Sequence, residues 1–312
     1  MKGLFSRRNA RILAVMLIML GIASAYWLSR GQKAMTVMLP AMQQNAERDS
    51  LSIAAQATED MRTLRGDMHL KTTNRTGEDW TELVFRLYAN GIREGSMVVS
   101  GATIDGTAVL FATDADDSSV LRVQHALKSG DMADISLHFA LTIPRGESEI
   151  ARTDDSALLI GALPMPAMWE NGAWRTDGYD ALAETSYAQP VDIQMALTVP
   201  EKVKAAFGGA WTDEQRNGDG TKTLTMQLEG ARDISLAMRT EGSMRQAMSG
   251  DILVTALAEN SRTAARLLEA ACKALEAVEG IGLAYPFPSL TVVQAQTGHE
   301  DGVIGSALLA VD

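Results

Sequence analysis

The sequence predicts a mainly β protein: an antiparallel β-sandwich after an N-terminal transmembrane helix, followed by a partial α/β region. Three observations predict this. An uncharged apolar run, Ile12–Leu28, follows a cluster of arginines. From about Leu51 apolar residues recur at period 2, the spacing of a half-buried strand. Near residue 258 the spacing changes to that of a helix.

The elements follow in order. Residues 1–33 carry Lys2, Arg7, Arg8, Arg11, Arg30 and Lys33 and no acid. A bilayer core needs roughly 17–25 apolar residues, and Ile12–Leu28 reaches the short end. Basic residues stay on the cytoplasmic side, so the N-terminus is placed in the cytoplasm and the body outside it. Tyr26 and Trp27 sit where an interfacial belt would lie. A cleaved signal peptide is the rival, since Ala23-Ser24-Ala25 fits a small-x-small cleavage site. Residues 34–49 read as a juxtamembrane linker interrupted by Pro40.

The β domain is expected over 50–257. Leu83, Phe85 and Leu87 alternate with Val84, Arg86 and Tyr88. The same period runs through Ile135–Ile143, Val191–Val199 and Leu224–Leu228. Successive strand side chains point to opposite faces, so each run should have one apolar and one wetter face. Turn residues separate the runs at Asn74–Gly77, Asp105-Gly106, Ser129–Asp131 and Asn217–Gly220. Beyond 257, Ala264, Leu267, Leu268, Ala271, Leu275 and Val278 mark a helix face. Asn260 or Ser261 is the expected N-cap and Gly280 the stop. A strand Leu290–Gln294 and a last apolar run, Val303–Val311, complete 258–312. An unpaired apolar strand at a terminus invites aggregation. That run therefore suggests a longer product, of which 258–312 is only the start of a second domain.

Charge and cysteine content exclude several functions. The chain has 28 Lys plus Arg and 39 Asp plus Glu, a net of −11. Outside residues 1–33, 22 of the basic residues face all 39 acids, a net of −17. Such a body repels phosphate backbones, so no nucleic-acid partner is expected. One cysteine excludes an internal disulfide and a cysteine-based zinc site, and four histidines leave little for a His-rich one.

Candidate chemistry is sparse. A zinc-protease helix needs two His one turn apart with a Glu base. His299-Glu300 begins that pattern but has no second His, and it lies in an acidic loop. His69, His125 and His138 read as surface residues. Asp114, Asp116 and Asp117 lack the Gly and distal Glu of a calcium loop and read as a solvated turn. Cys272 reads as helix packing. No nucleophile elbow, phosphate loop or dinucleotide fingerprint occurs.

Gly66–Leu70, Thr73–Thr76 and Leu83–Asn90, in that order, resemble the opening of the N-terminal β domain of peptidase family M1, the aminopeptidase N-like enzymes. Gly161–Pro166 with Glu170–Trp174 resembles its "L-G-x-x-Y-P" and "G-G-W" stretch. Tyr187–Pro200 resembles "Y-x-x-x-x-Y-D-V-x-L-x-V-P", and Ala231–Leu236 resembles "x-R-D-F-x-L". Gly282–Pro288 resembles "F-G-x-Y-P-Y-P", which opens the thermolysin-like catalytic domain. The likeness spans about 50 to 312.

The resemblance implies a zinc aminopeptidase, and the departures qualify that. Gly302–Ser306 occupies the place of "G-M-E-N", whose Glu grips the substrate's free α-amine. Ile304 stands there instead and offers no charge. The zinc helix, third ligand and transition-state Tyr would follow residue 312. No catalytic or metal-binding residue is therefore carried over. No cofactor is expected in this chain, and zinc only if a catalytic domain follows. The expected function is a membrane-anchored extracytoplasmic M1-like metallopeptidase polypeptide, as a fragment or a catalytically incomplete form. The expected partners are the membrane, and peptides or another extracytoplasmic protein. The alternative is a non-catalytic extracytoplasmic binding or scaffolding β-sandwich. A transporter-associated accessory role, in which the acidic body attracts cationic peptides, is a third reading.

Overall fold

Period-2 alternation becomes strand wherever one face can be buried. The computed structural model describes residues 48–179, 188–298 and 302–312. The expected membrane segment at Ile12–Leu28 and the linker through residue 47 lie outside the described residues. Among the described residues no helix is long and apolar enough to cross a membrane.

β1 (Asp49–Ala57) buries every second side chain, and β2 (Thr63–Thr73) returns antiparallel beside it. β3 (Trp80–Arg86) leads into a short helix, α1 (Tyr88–Ile92). β4 (Met97–Ile104), β5 (Thr107–Ala108), β6 (Phe111–Thr113), β7 (Val120–Leu127) and β8 (Met132–Thr142) follow. Then come β9 (Ile150–Arg152), β10 (Ser156–Ile160), β11 (Met165–Pro166), β12 (Trp169–Glu170) and β13 (Ala173–Trp174). β14 (Val191–Pro200), β15 (Lys204–Phe207), β16 (Ala210–Arg216), β17 (Thr221–Ala231) and β18 (Ser235–Arg239) complete this region. The Asp105-Gly106 turn has both residues at positive φ, 49° and 77°, which matches the twist of the hairpin it closes.

One layer of the sandwich is an eight-stranded sheet in the order β16-β17-β14-β1-β2-β8-β4-β5. The other is divided into two four-stranded sheets, β15-β18-β10-β9 and β11-β3-β7-β6. Their inner faces share one core that includes Leu51, Met68, Leu137, Leu163, Phe207 and Leu236. Burying each such side chain contributes about 1.5–3 kcal/mol, so this core dominates the stability of the region. The sheet is not wholly antiparallel, because β14 runs parallel to β1 across eight paired residues.

β3 departs from the expected wet face. Val84 and Arg86 are buried along with Leu83 and Phe85. The cause is the β12–β13 hairpin: Val84 packs with Val120 and Ala167 against Trp174. Trp80, Trp169 and Trp174 form a cluster with ring centroids 4.7–6.0 Å apart. A strand covered on both sides loses its alternation.

A second sheet begins earlier than the helix does. β19 (Ser243–Ser249) and β20 (Ile252–Ala258) form a hairpin that joins β21 (Ser289–Gln294) and β23 (Leu308–Val311), with β22 (Val303–Gly305) at the edge. By strand pairing, then, 243–257 belongs with 258–312 and not with the sandwich. α2 (Ser261–Gly280) connects β20 to the parallel β21. Asn260 caps it, accepting a hydrogen bond from the Thr263 amide at 2.9 Å. Its apolar face, Leu267, Ala271 and Leu275, covers one side of the sheet. Leu257, Val293, Leu308 and Ala310 press the other side onto Leu158, Ile160, Ala206 and Ala237 of the sandwich.

The last apolar run is a hairpin, not one strand. It turns at Ser306-Ala307, with Ala307 at φ 54°. β23 lies between β21 and β22, so its backbone is paired on both sides. The aggregation argument drawn from an unpaired terminal strand therefore does not apply.

Candidate functional site

The edge hairpin β22–β23 meets the sandwich at a small junction. β22 pairs with β23 on one side only and ends the sheet. Its Val303 faces the sandwich core. Ile304 points away and is 43% exposed. Gly305 faces inward so closely that a Cβ there would lie 1.8 Å from Ser235 Oγ and 2.9 Å from both Asp233 Oδ1 and Ile160 Cγ2. Gly208 is equally tight, since its Cβ would meet the Ser306 carbonyl oxygen at 1.9 Å. Two glycines therefore let the turn seat on the sandwich.

Asp233 holds that turn. It is buried in the bend between β17 and β18. The Ser306 amide donates to its carboxyl oxygens at 2.8 and 3.1 Å. Ser306 Oγ donates to Oδ2 at 3.0 Å, and Ser235 Oγ is hydrogen-bonded to Oδ1. Ser306 Oγ in turn accepts the amides of Arg232 and Asp233 at 3.2 and 3.3 Å. Burial pushes the Asp233 carboxyl above the usual carboxylate range, and the bonds from Ser235 and Ser306 offset only part of that.

A cleft of about 400 Å³ lies at the other end of this sheet, at the carboxyl ends of β20 and β21. Glu147, Asp155, Glu259 and Asp312 line it, with Arg239 as the basic lining residue. In open α/β sheets this end of parallel strands is where ligands gather. Arg239 is engaged structurally. It pairs with Asp155 at 2.9 Å and donates to the Gln294 carbonyl at 3.2 Å. This acid-rich wall disfavours an anionic ligand.

The residues singled out in the sequence are scattered. His69 and His138 stand on the solvent face of the eight-stranded sheet, bonded to Ser136 and Asp67 respectively. His138 lies over Gly101, where a Cβ would meet its ring at 2.9 Å. Asp114, Asp116 and Asp117 belong to a self-bonded turn. Asp114 accepts the Asp116 amide and pairs with Arg122 at 3.0 Å, which together hold its carboxyl below the usual range. Asp117 accepts the Ser119 amide at 2.9 Å and faces the buried Arg86 at 3.8 Å. Burial raises the Cys272 thiol, which leaves it a poor nucleophile. His299 and Glu300 lie outside the described residues. Among the described residues no three His, Cys, Asp or Glu converge to hold a metal ion. The described residues do not fit zinc, and no step through zinc is derived.

Sequence reasoning missed Asp233 and its partners. Asp233 and Ser306 are 73 residues apart, and no local pattern in the sequence marks their pairing.

No family model and no curated protein matches the chain. Solved structures do. An M1 zinc metallopeptidase from Deinococcus radiodurans is similar with a TM-score of 0.55 at 16% identity, over 85% of this chain and 59% of that one. A point mutant of an M1 zinc metallopeptidase from the same organism, bound to a Tyr-Ser-Ala substrate, gives 0.55 at 16%, over 85% and 60%. The chain thus spans about 59% of the length of the structures it matches. At this identity the likeness is one of fold: the chain is folded like part of an M1 zinc metallopeptidase.

Proposed function

We propose that this chain is the β domain and first catalytic-domain sheet of an M1-like metallopeptidase polypeptide, held at a membrane with its body outside the cytoplasm. One observation carries the reading. A β-sandwich is followed by a five-stranded sheet whose last hairpin presents an edge strand, and 85% of the chain is similar in fold to a solved M1 zinc metallopeptidase. An edge strand offers unpaired backbone groups to an extended peptide. Ile304 occupies that edge where the family's amine-binding Glu would stand, so strict selection for a free N-terminal amine is not part of the proposal. Sequencing the transcript past codon 312 tests it. An open frame encoding H-E-x-x-H within a few dozen residues is the expected result. A stop codon at that point would sink the enzyme reading.

A non-catalytic extracytoplasmic binding or scaffolding module is the second reading, and Ile304 favours it. An exposed apolar residue on an edge strand suits pairing with an uncharged extended segment of another protein. Fluorescent peptides with free and acetylated N-termini separate the two, because the module should bind both equally.

A further inference from the structure

We propose that Asp233 and Ser306 form a proton-gated clasp between the β-sandwich and the edge hairpin, closed while Asp233 holds a proton and loosened as its carboxylate forms. The inference stands on the junction's geometry and does not depend on the peptidase reading.

The clasp joins two bodies of the fold through one side chain. Asp233 belongs to the sandwich, and its oxygens are used by the amide and hydroxyl of Ser306 on the hairpin. Among the described residues, the elements packed around it bring no charge. β18 contributes Ser235, β10 contributes Ile160, and the turn contributes Gly305 and Ser306. The neighbouring Arg232 sends Nη1 to the Ala188 carbonyl. Among the described residues no cation pairs with Asp233, so burial outweighs its hydrogen bonds. A proton on Oδ1 has an acceptor ready in Ser235 Oγ, while Oδ2 keeps both Ser306 donors.

The sign follows from linkage. The closed form holds its proton above the ordinary carboxylate value of 3.8, and an opened, wet carboxyl returns to that value. Below it both forms are protonated and the clasp has its full strength. As pH rises through the closed-form value, the closed form must either ionise while buried or open. Opening therefore grows with pH, by up to about tenfold per pH unit for one proton.

The test is hydrogen exchange of residues 303–311 in the full chain in detergent micelles, corrected for the intrinsic pH dependence of exchange. The expected result is that protection in the native chain falls by up to about tenfold per pH unit across the window. Asp233→Asn, a neutral isostere that can donate to Ser235, should hold the acid-state protection at every pH. Ser306→Ala should lower protection throughout. A native chain with flat protection, or an Asp233→Asn chain that keeps the slope, overturns the proposal. Should Asp233→Asn fail to fold, the carboxyl ¹³C shift of Asp233 in the native chain decides. Titration above the usual carboxylate range supports the clasp, and titration at or below it overturns the clasp.

Discussion

Gly305→Ala isolates the steric half of the junction. Gly305 does not have a positive φ, so alanine there meets no backbone strain and acts only through its methyl group. That methyl would sit 1.8 Å from Ser235 Oγ and 2.9 Å from Asp233 Oδ1 and Ile160 Cγ2. Ser235, Asp233 and Ile160 are all buried, so none can swing into solvent. Overpacking of this kind costs about 1–3 kcal/mol. Displacing Ser235 also removes its hydrogen bond to Asp233, adding about 1 kcal/mol. The total of about 2–4 kcal/mol corresponds to a drop in melting temperature of about 4–8 °C for a chain of this size. Far-ultraviolet circular dichroism on heating reads it. Gly178→Ala is the control, because a Cβ there meets nothing within 4 Å. If Gly305→Ala melts within 1 °C of the control, the hairpin is not seated as described.

Other substitutions probe separate parts of the fold. Leu137→Ala in the sandwich core should cost about 2–5 kcal/mol in urea unfolding, since Leu137 is fully buried. Asn260→Ala should cost about 1 kcal/mol, read as lost helicity and a lower urea midpoint, because it removes the α2 cap. Arg86 is fully buried, with Nε and Nη1 bonded to nothing among the described residues. Arg86→Met keeps the volume without the buried charge, so it should unfold at higher urea than Arg86→Ala by at least about 1 kcal/mol. Equal midpoints for the two would show that the guanidinium, not its volume, is what the site requires.

The legible parts of this fold are those where burial has two sides. β8 and β14 each set one face on the core and one in water, so Ile135–Leu141 and Val191–Val199 alternate and were readable. The α2 stripe was readable for the same reason, with Asn260 at its start. β3 hid its geometry because a tryptophan hairpin covers its outer face. The Val303–Val311 run hid a reversal, since residues on both arms are apolar and the turn falls at Ser306-Ala307. β19 pairs with β20 across the boundary expected at 257, and its polar edge sequence, Ser243–Ser249, carries no mark of the sheet it joins. The parallel pairing of β1 with β14 and the Asp233–Ser306 clasp are long-range facts with no local pattern. Only the family resemblance points to Ile304, which lies exposed on an edge strand.

Metal content tests the central claim most directly. This chain is folded like part of an M1 zinc metallopeptidase, and among its described residues no three His, Cys, Asp or Glu converge to hold a metal ion. The full chain, purified in detergent, loaded with zinc and dialysed, should retain far less than one equivalent by mass spectrometry of the metal. It should also cleave no aminoacyl-anilide. One tightly held zinc per chain, lost together with hydrolysis on chelation, would contradict the account.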